Sequence, residues 1–243
     1  MKKIVYAVTI ALLTSLFCYA NENVSELLKR IDSVSNSPKD QKMSMKLILI
    51  DKDNSESERE IVMMQKGADK RVGKFLSPKD QKGIGFLSLP GNVLHIYLPA
   101  YKKVKNIASH AKNGSFAGTD FTYEDMEMTE FSKNYEGKIL SENDSIYVIE
   151  LIPEKKSETS YSKIVITVPK ETYFPVMMEF YEKDKHVKTL ERKSIEKVKS
   201  YYVAREMTMT TLKSGHKTKM LLESVEYDTN ISDDFFTDRY LKE

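Results

Sequence analysis

Apolar and polar residues alternate along most of the chain beyond residue 42. Met43, Met45, Leu47 and Leu49 alternate with Ser44, Lys46, Ile48 and Ile50, a period of two that predicts a strand. Ile84, Phe86 and Leu87 form one apolar run and residues 93–98 another. Pro90-Gly91-Asn92, a turn signal, joins the two. Further runs cover 146–152, 164–168, 174–180, 203–210 and 216–227, and weaker ones 57–66, 70–76, 102–107, 134–141 and 187–198. In 57–66 either face could point inward, because Ile61 and Met63 compete with Val62 and Met64. The spacing predicts a mainly β fold, an antiparallel sheet of about ten or eleven strands, large enough to curl.

Two helices are expected to bracket this sheet. Asn23 can cap the first, with Glu26 as reciprocal partner, ahead of a stripe of Val24, Leu27, Leu28, Ile31 and Val34. Near the other end Ser232 can cap a short helix, and Asp233 and Asp234 suit its positive N-terminus. Phe235, Phe236, Tyr240 and Leu241 would dock it.

The first twenty residues have a different character. Lys2 and Lys3 precede an uncharged, mostly apolar run from Ile4 to Phe17, and Cys18-Tyr19-Ala20 closes it. The run falls short of the ~20 residues that a membrane span needs, and the pattern predicts a signal peptide over 1–20, cleaved after Ala20. Phe17 argues against lipidation of Cys18, where a small residue would be wanted. The chain's only cysteine lies in this segment, so the expected mature domain, 21–243, has no disulfide and no thiol nucleophile. Without Lys2 and Lys3 the 38 basic residues become 36, against 36 acidic ones. That balance, with bases dispersed among acids, gives no footprint for nucleic acid.

Signs of catalysis are sparse. His95, His110, His186 and His216 show no ligand spacing, so no metal and no cofactor is expected. His95 reads as a core or rim residue of a strand. Within SFAGTDFTYEDM (115–126), Asp120, Glu124 and Asp125 could be a cation site or an acid/base pair. The favoured reading is local: Thr122 caps a short helix whose first turn holds Glu124 and Asp125. Twelve methionines, four pairs of them in different strands, suit a surface that accepts variable apolar shapes as well as an ordinary core.

Several stretches resemble the outer-membrane lipoprotein-sorting family, the LolA-like periplasmic carriers. They are FLSPKDQKGIGFLSL (75–89), HIYLPAYKKVKNI (95–107), SFAGTDFTYEDM, YSKIVITVPKETYFPVMMEFYEKDKHVKTL (161–190) and ISDDFFTDRYL (231–241). Pro78 with Lys82-Gly83, Tyr97-Leu98-Pro99-Ala100, and the loop of Gly118, Thr119, Asp120, Phe121, Tyr123 and Asp125 carry the signature. Family members often place tryptophan near two of these blocks; this chain has none, with Phe75 and Ile96 nearby.

The resemblance implies an unclosed half-barrel with an apolar concave face lidded by helices. It implies a non-enzymatic carrier in the periplasm for acylated lipoprotein or lipid cargo. Its partners would be an inner-membrane release complex, or an exporter of the resistance-nodulation-division type, and an outer-membrane acceptor. A lipid- or lipoprotein-sensing regulator, or an accessory partner of an exporter, could use the same cavity. On this reading Met45, Leu47, Phe86, Phe174, Val176, Met178, Phe180, Met207 and Met209 face the cavity, and Phe121 and Tyr123 anchor a loop near its mouth.

Overall fold

The computed structural model describes residues 23–127 and 130–243. The expected signal peptide and its cleavage point at Ala20 lie outside the described residues. Thirteen strands form one antiparallel sheet: β1 Asp40–Ile50, β2 Glu56–Lys66, β3 Lys70–Ser77, β4 Gly85–Leu89, β5 Val93–Leu98, β6 Lys103–Asn106, β7 Tyr135–Glu142, β8 Ile146–Pro153, β9 Lys163–Pro169, β10 Met177–Glu182, β11 Lys185–Val198, β12 Tyr201–Thr211 and β13 Lys217–Tyr227. Each segment with strand character in the sequence becomes a strand, which makes the total higher than the ten or eleven expected.

The order is β6-β5-β4-β3-β2-β1-β13-β12-β11-β10-β9-β8-β7. Two meanders are thus sewn together where β1 pairs with β13, and among the described residues β6 and β7 are the edges. One continuous core holds Leu94 and Ile96 of β5 as well as Ile149 and Leu151 of β8. Strands so far apart in the order share a core only because the sheet curls. Edge β6 is four residues long and bears Lys103 and Lys105, features that discourage edge-to-edge pairing.

The cross-strand register settles which parity of β2 faces inward. Met43 pairs with Met63 and Met45 with Ile61, and Ile61 and Met63 belong to the concave core. Met64 points the other way, into a second cluster with Val72, Leu87, Ile231, Phe236 and Leu241. Both parities are apolar because both faces are covered.

The C-terminal segment provides that outer cover. A 3-10 turn at Asp233–Phe235, capped by Ser232, precedes a short helix, Asp238–Lys242, capped by Thr237. This helix packs on β4, β5 and β6. His95 Nδ1 meets Asp238 at 2.7 Å, and Lys74 Nζ donates to the Tyr240 carbonyl at 2.9 Å. The helix therefore supports the outer face and takes no part in lidding the concave one. Leu241 is fully buried there. Leu241→Ala should cost about 2–5 kcal/mol, the range for a fully buried leucine. Urea unfolding would check it.

Candidate functional site

Three segments close the concave side. The first is α1, Val24–Ser35. Asn23 caps it by accepting from the Ser25 amide at 3.0 Å. Glu26 pairs with Lys29 at 2.8 Å, in place of the expected reciprocal bond to the cap. Leu27, Leu28 and Ile31 are buried. The helix packs against β7, β12 and α2, Phe131–Asn134. Gly137 of β7 makes the close approach possible, since a Cβ there would lie 2.6 Å from Val24 Cγ1 and 2.9 Å from Leu28 Cδ1.

Asp32 clamps the two helices together. Its carboxylate accepts from the Phe131 and Ser132 amides, both at 2.8 Å. It thereby satisfies orphan donors at the start of α2. Burial pushes this carboxyl above its usual range, against the pull of those bonds. Asp32→Ala should uncap α2 and cost about 1–2 kcal/mol. Hydrogen exchange should show the loss as faster exchange confined to α1, α2 and their join.

The third segment follows edge β6 and contains SFAGTDFTYEDM. Residues 115–122 form a small hairpin: Ser115 and Thr122 bridge, and the Phe116 amide donates to the Phe121 carbonyl at 2.8 Å. Gly118, with φ of +75°, takes a left-handed turn position that disfavours other residues. Phe116 stacks on Phe75 at 5.4 Å and meets Phe86 edge-on at 5.3 Å. Tyr123 packs on Phe116 in turn, and Phe121 is buried beside the cavity.

The three acids of the loop point to three different partners. Asp120 accepts from Thr211 Oγ1 at 2.5 Å and Thr218 Oγ1 at 2.7 Å, and meets His216 Nδ1 at 2.6 Å. Its own amide donates to Thr218 Oγ1 at 2.9 Å. The loop is thus pinned to β12, β13 and the turn between them. Glu124 binds Ser160 and Thr159. Asp125 meets Lys188 Nζ at 2.7 Å and accepts from Tyr161 Oη at 2.9 Å. Thr122 and Asp125 exchange reciprocal bonds, amide to carboxylate and amide to hydroxyl. This makes a capping box ahead of the 3-10 turn Glu124–Met126.

Between lid and sheet lies a cavity of about 300 Å³. Among the described residues eight methionines line it: Met43, Met45, Met63, Met126, Met178, Met207, Met209 and Met220. A wall of unbranched, polarizable side chains can adapt to differently shaped apolar guests. Of the residues expected to face the cavity, Met45, Phe174, Met178, Phe180, Met207 and Met209 line it. Leu47 and Phe86 do not. They are buried on the same face, but the 115–122 hairpin seals that end, with Arg59 donating to the Ala117 carbonyl and Phe116 covering Phe86. Val176 precedes β10 and does not line the cavity either.

The sequence reading passed over Met43, Met63, Leu190, Met220 and Leu222, and also Arg71 and Arg192. Cross-strand pairing would have found the apolar ones, since Met207 sits opposite Met220 and Met209 opposite Leu190.

A family model whose description reads only "uncharacterized protein" matches residues 67–243. The chain belongs to that family, and its fold is LolA-like. A candidate outer membrane lipoprotein-sorting protein domain from Vibrio parahaemolyticus is 27% identical, with a TM-score of 0.83 over 90% of this chain and 98% of that one. A DUF1329 family protein from Desulfovibrio piger is 24% identical, with a TM-score of 0.84 over 89% and 97%. A LolA superfamily protein from Nitrosomonas europaea is 18% identical, with a TM-score of 0.74 over 88% and 97%. No curated protein matches the chain. For this LolA-like protein the fold fits lipid or lipoprotein carriage in general.

Proposed function

We propose that this protein is a periplasmic carrier that takes acyl chains of lipoproteins or lipids into the methionine-lined cavity and shuttles them from the inner membrane toward the outer membrane. It performs no catalysis in this scheme. The observation that carries the proposal is the apolar cavity itself, walled by adaptable side chains and closed by a small, separately clamped lid. Each buried methylene contributes roughly 0.8 kcal/mol, so a 16-carbon chain offers on the order of 10 kcal/mol before costs. Such a gain keeps a lipid in solution and opposes its release. Leu27, Leu28, Ile31 and Phe131 of the lid bury their own apolar surface when the lid is shut, so closure competes with cargo and helps discharge it. The donor would be an inner-membrane release complex or an exporter of the resistance-nodulation-division type, and the recipient an outer-membrane acceptor.

The test is extraction from vesicles. Incubation with vesicles holding a fluorescent acyl lipid should yield a soluble complex of about one lipid per chain, which then delivers to acceptor vesicles. Fluorescence that never leaves the donor vesicles would refute the proposal.

A further inference from the structure

The least expected residues in the cavity wall are two arginines. Arg71 lies on β3 and Arg192 on β11, in opposite halves of the sheet, and the curl brings both to one apolar space. A guanidinium has five N–H donors and is costly to bury without an anion. Arg71 donates to Gln65 Oε1 at 3.2 Å and to the Met126 carbonyl at 3.4 Å, while its Nε is buried with no partner. Arg192 donates to the Pro175 carbonyl at 3.0 Å and stands 5.1 Å over the Phe174 ring. Neither forms an ion pair among the described residues.

The acids of the wall are already engaged. Asp125 is held by Lys188, Glu127 by Lys112 at 2.6 Å, and Glu124 by Ser160 and Thr159. Burial lowers both guanidiniums to about 10, and for Arg71 the positive charge of Arg192 adds to the effect. Both remain charged at neutral pH, two cations of like sign facing an apolar space.

We infer that Arg71 and Arg192 form an anion subsite within the cavity, which takes a phosphate or carboxylate attached to the cargo's acyl chain. The inference rests on the carrier reading above and adds the chemistry of the cargo. The planar fork of arginine matches both anions bidentately. An acyl anion fills the space and offsets one of the two positive charges, as a neutral glyceride cannot.

The experiment compares the full chain with Arg71→Met and Arg192→Met, using four ligands: phosphatidylglycerol, palmitate, diacylglycerol and inorganic phosphate alone. Thermal unfolding of each empty variant is measured alongside. The wild type should bind phosphatidylglycerol, palmitate or both about 10- to 100-fold more tightly than diacylglycerol. Which of the two is preferred distinguishes a lipid headgroup from a free fatty acid. Either substitution should erase the preference, weakening the charged lipids far more than diacylglycerol, while the empty variants unfold no earlier than wild type. Should methionine disrupt the fold, Arg71→Gln and Arg192→Gln provide the same comparison. Equal affinity for charged and neutral lipids, a preference that survives substitution, or phosphate alone binding as tightly as the lipids would overturn the subsite and leave carriage standing. Failure of every acyl ligand to bind would remove the carrier reading itself.

Discussion

Asp120→Ala should be among the most destabilising single changes in this protein, costing about 3–5 kcal/mol. The side chain is only 3% exposed and gathers Thr211, His216 and Thr218 around one carboxylate. Removing it strands those polar groups in a buried site. It also frees the 115–122 hairpin from β12 and β13, so that Phe116 loses its seat on Phe75 and Phe86. For a domain of this size the midpoint of thermal unfolding should fall on the order of 10 °C. Asp120→Asn keeps the shape and part of the bonding, and should cost less. A fall of under about 1 kcal/mol for the alanine variant would show that the network does not hold the loop.

The second large effect concerns cargo. Met207 lines the cavity on β12 opposite Met220 and is only partly buried, so a larger side chain there can grow into the cavity without displacing the core. Met207→Trp should take space that acyl carbons would occupy. Losing contact with two methylenes alone costs about 1.6 kcal/mol, or somewhat more than tenfold in affinity. Acyl-lipid affinity should therefore fall at least about tenfold while the unfolding midpoint stays within a few degrees. The chain has no other tryptophan, so the emission of the new indole reports directly on the cavity. Unchanged affinity would place the lipid elsewhere.

Strand positions were legible in the sequence because a curled sheet with one buried face imposes a period of two. The expected count was low because short edge segments carry little alternation: Lys103–Asn106 has a single apolar residue, Val104. Parity in β2 stayed ambiguous for a physical reason. Ile61 and Met63 face the cavity side, Met64 faces the C-terminal helix, and a strand covered on both sides loses its pattern. The fates of Leu47 and Phe86 depend on a hairpin that reaches them across dozens of residues, which no local pattern encodes.

Arg71 and Arg192 were illegible for the opposite reason. Arginine in an alternating strand reads as outward, and only the pairing of Arg71 with Gln65 and of Arg192 with Met207 places them inside. In SFAGTDFTYEDM, the capping by Thr122 and Asp125 was readable locally. The long reach of Asp120 to Thr211, His216 and Thr218 was not.

The most direct test of carriage is native mass spectrometry of the protein recovered from its own cells without denaturation. The carrier account predicts a chain bearing about one acylated molecule, which Met207→Trp retains poorly. A chain that emerges empty, and stays empty when offered acyl lipids, would contradict it.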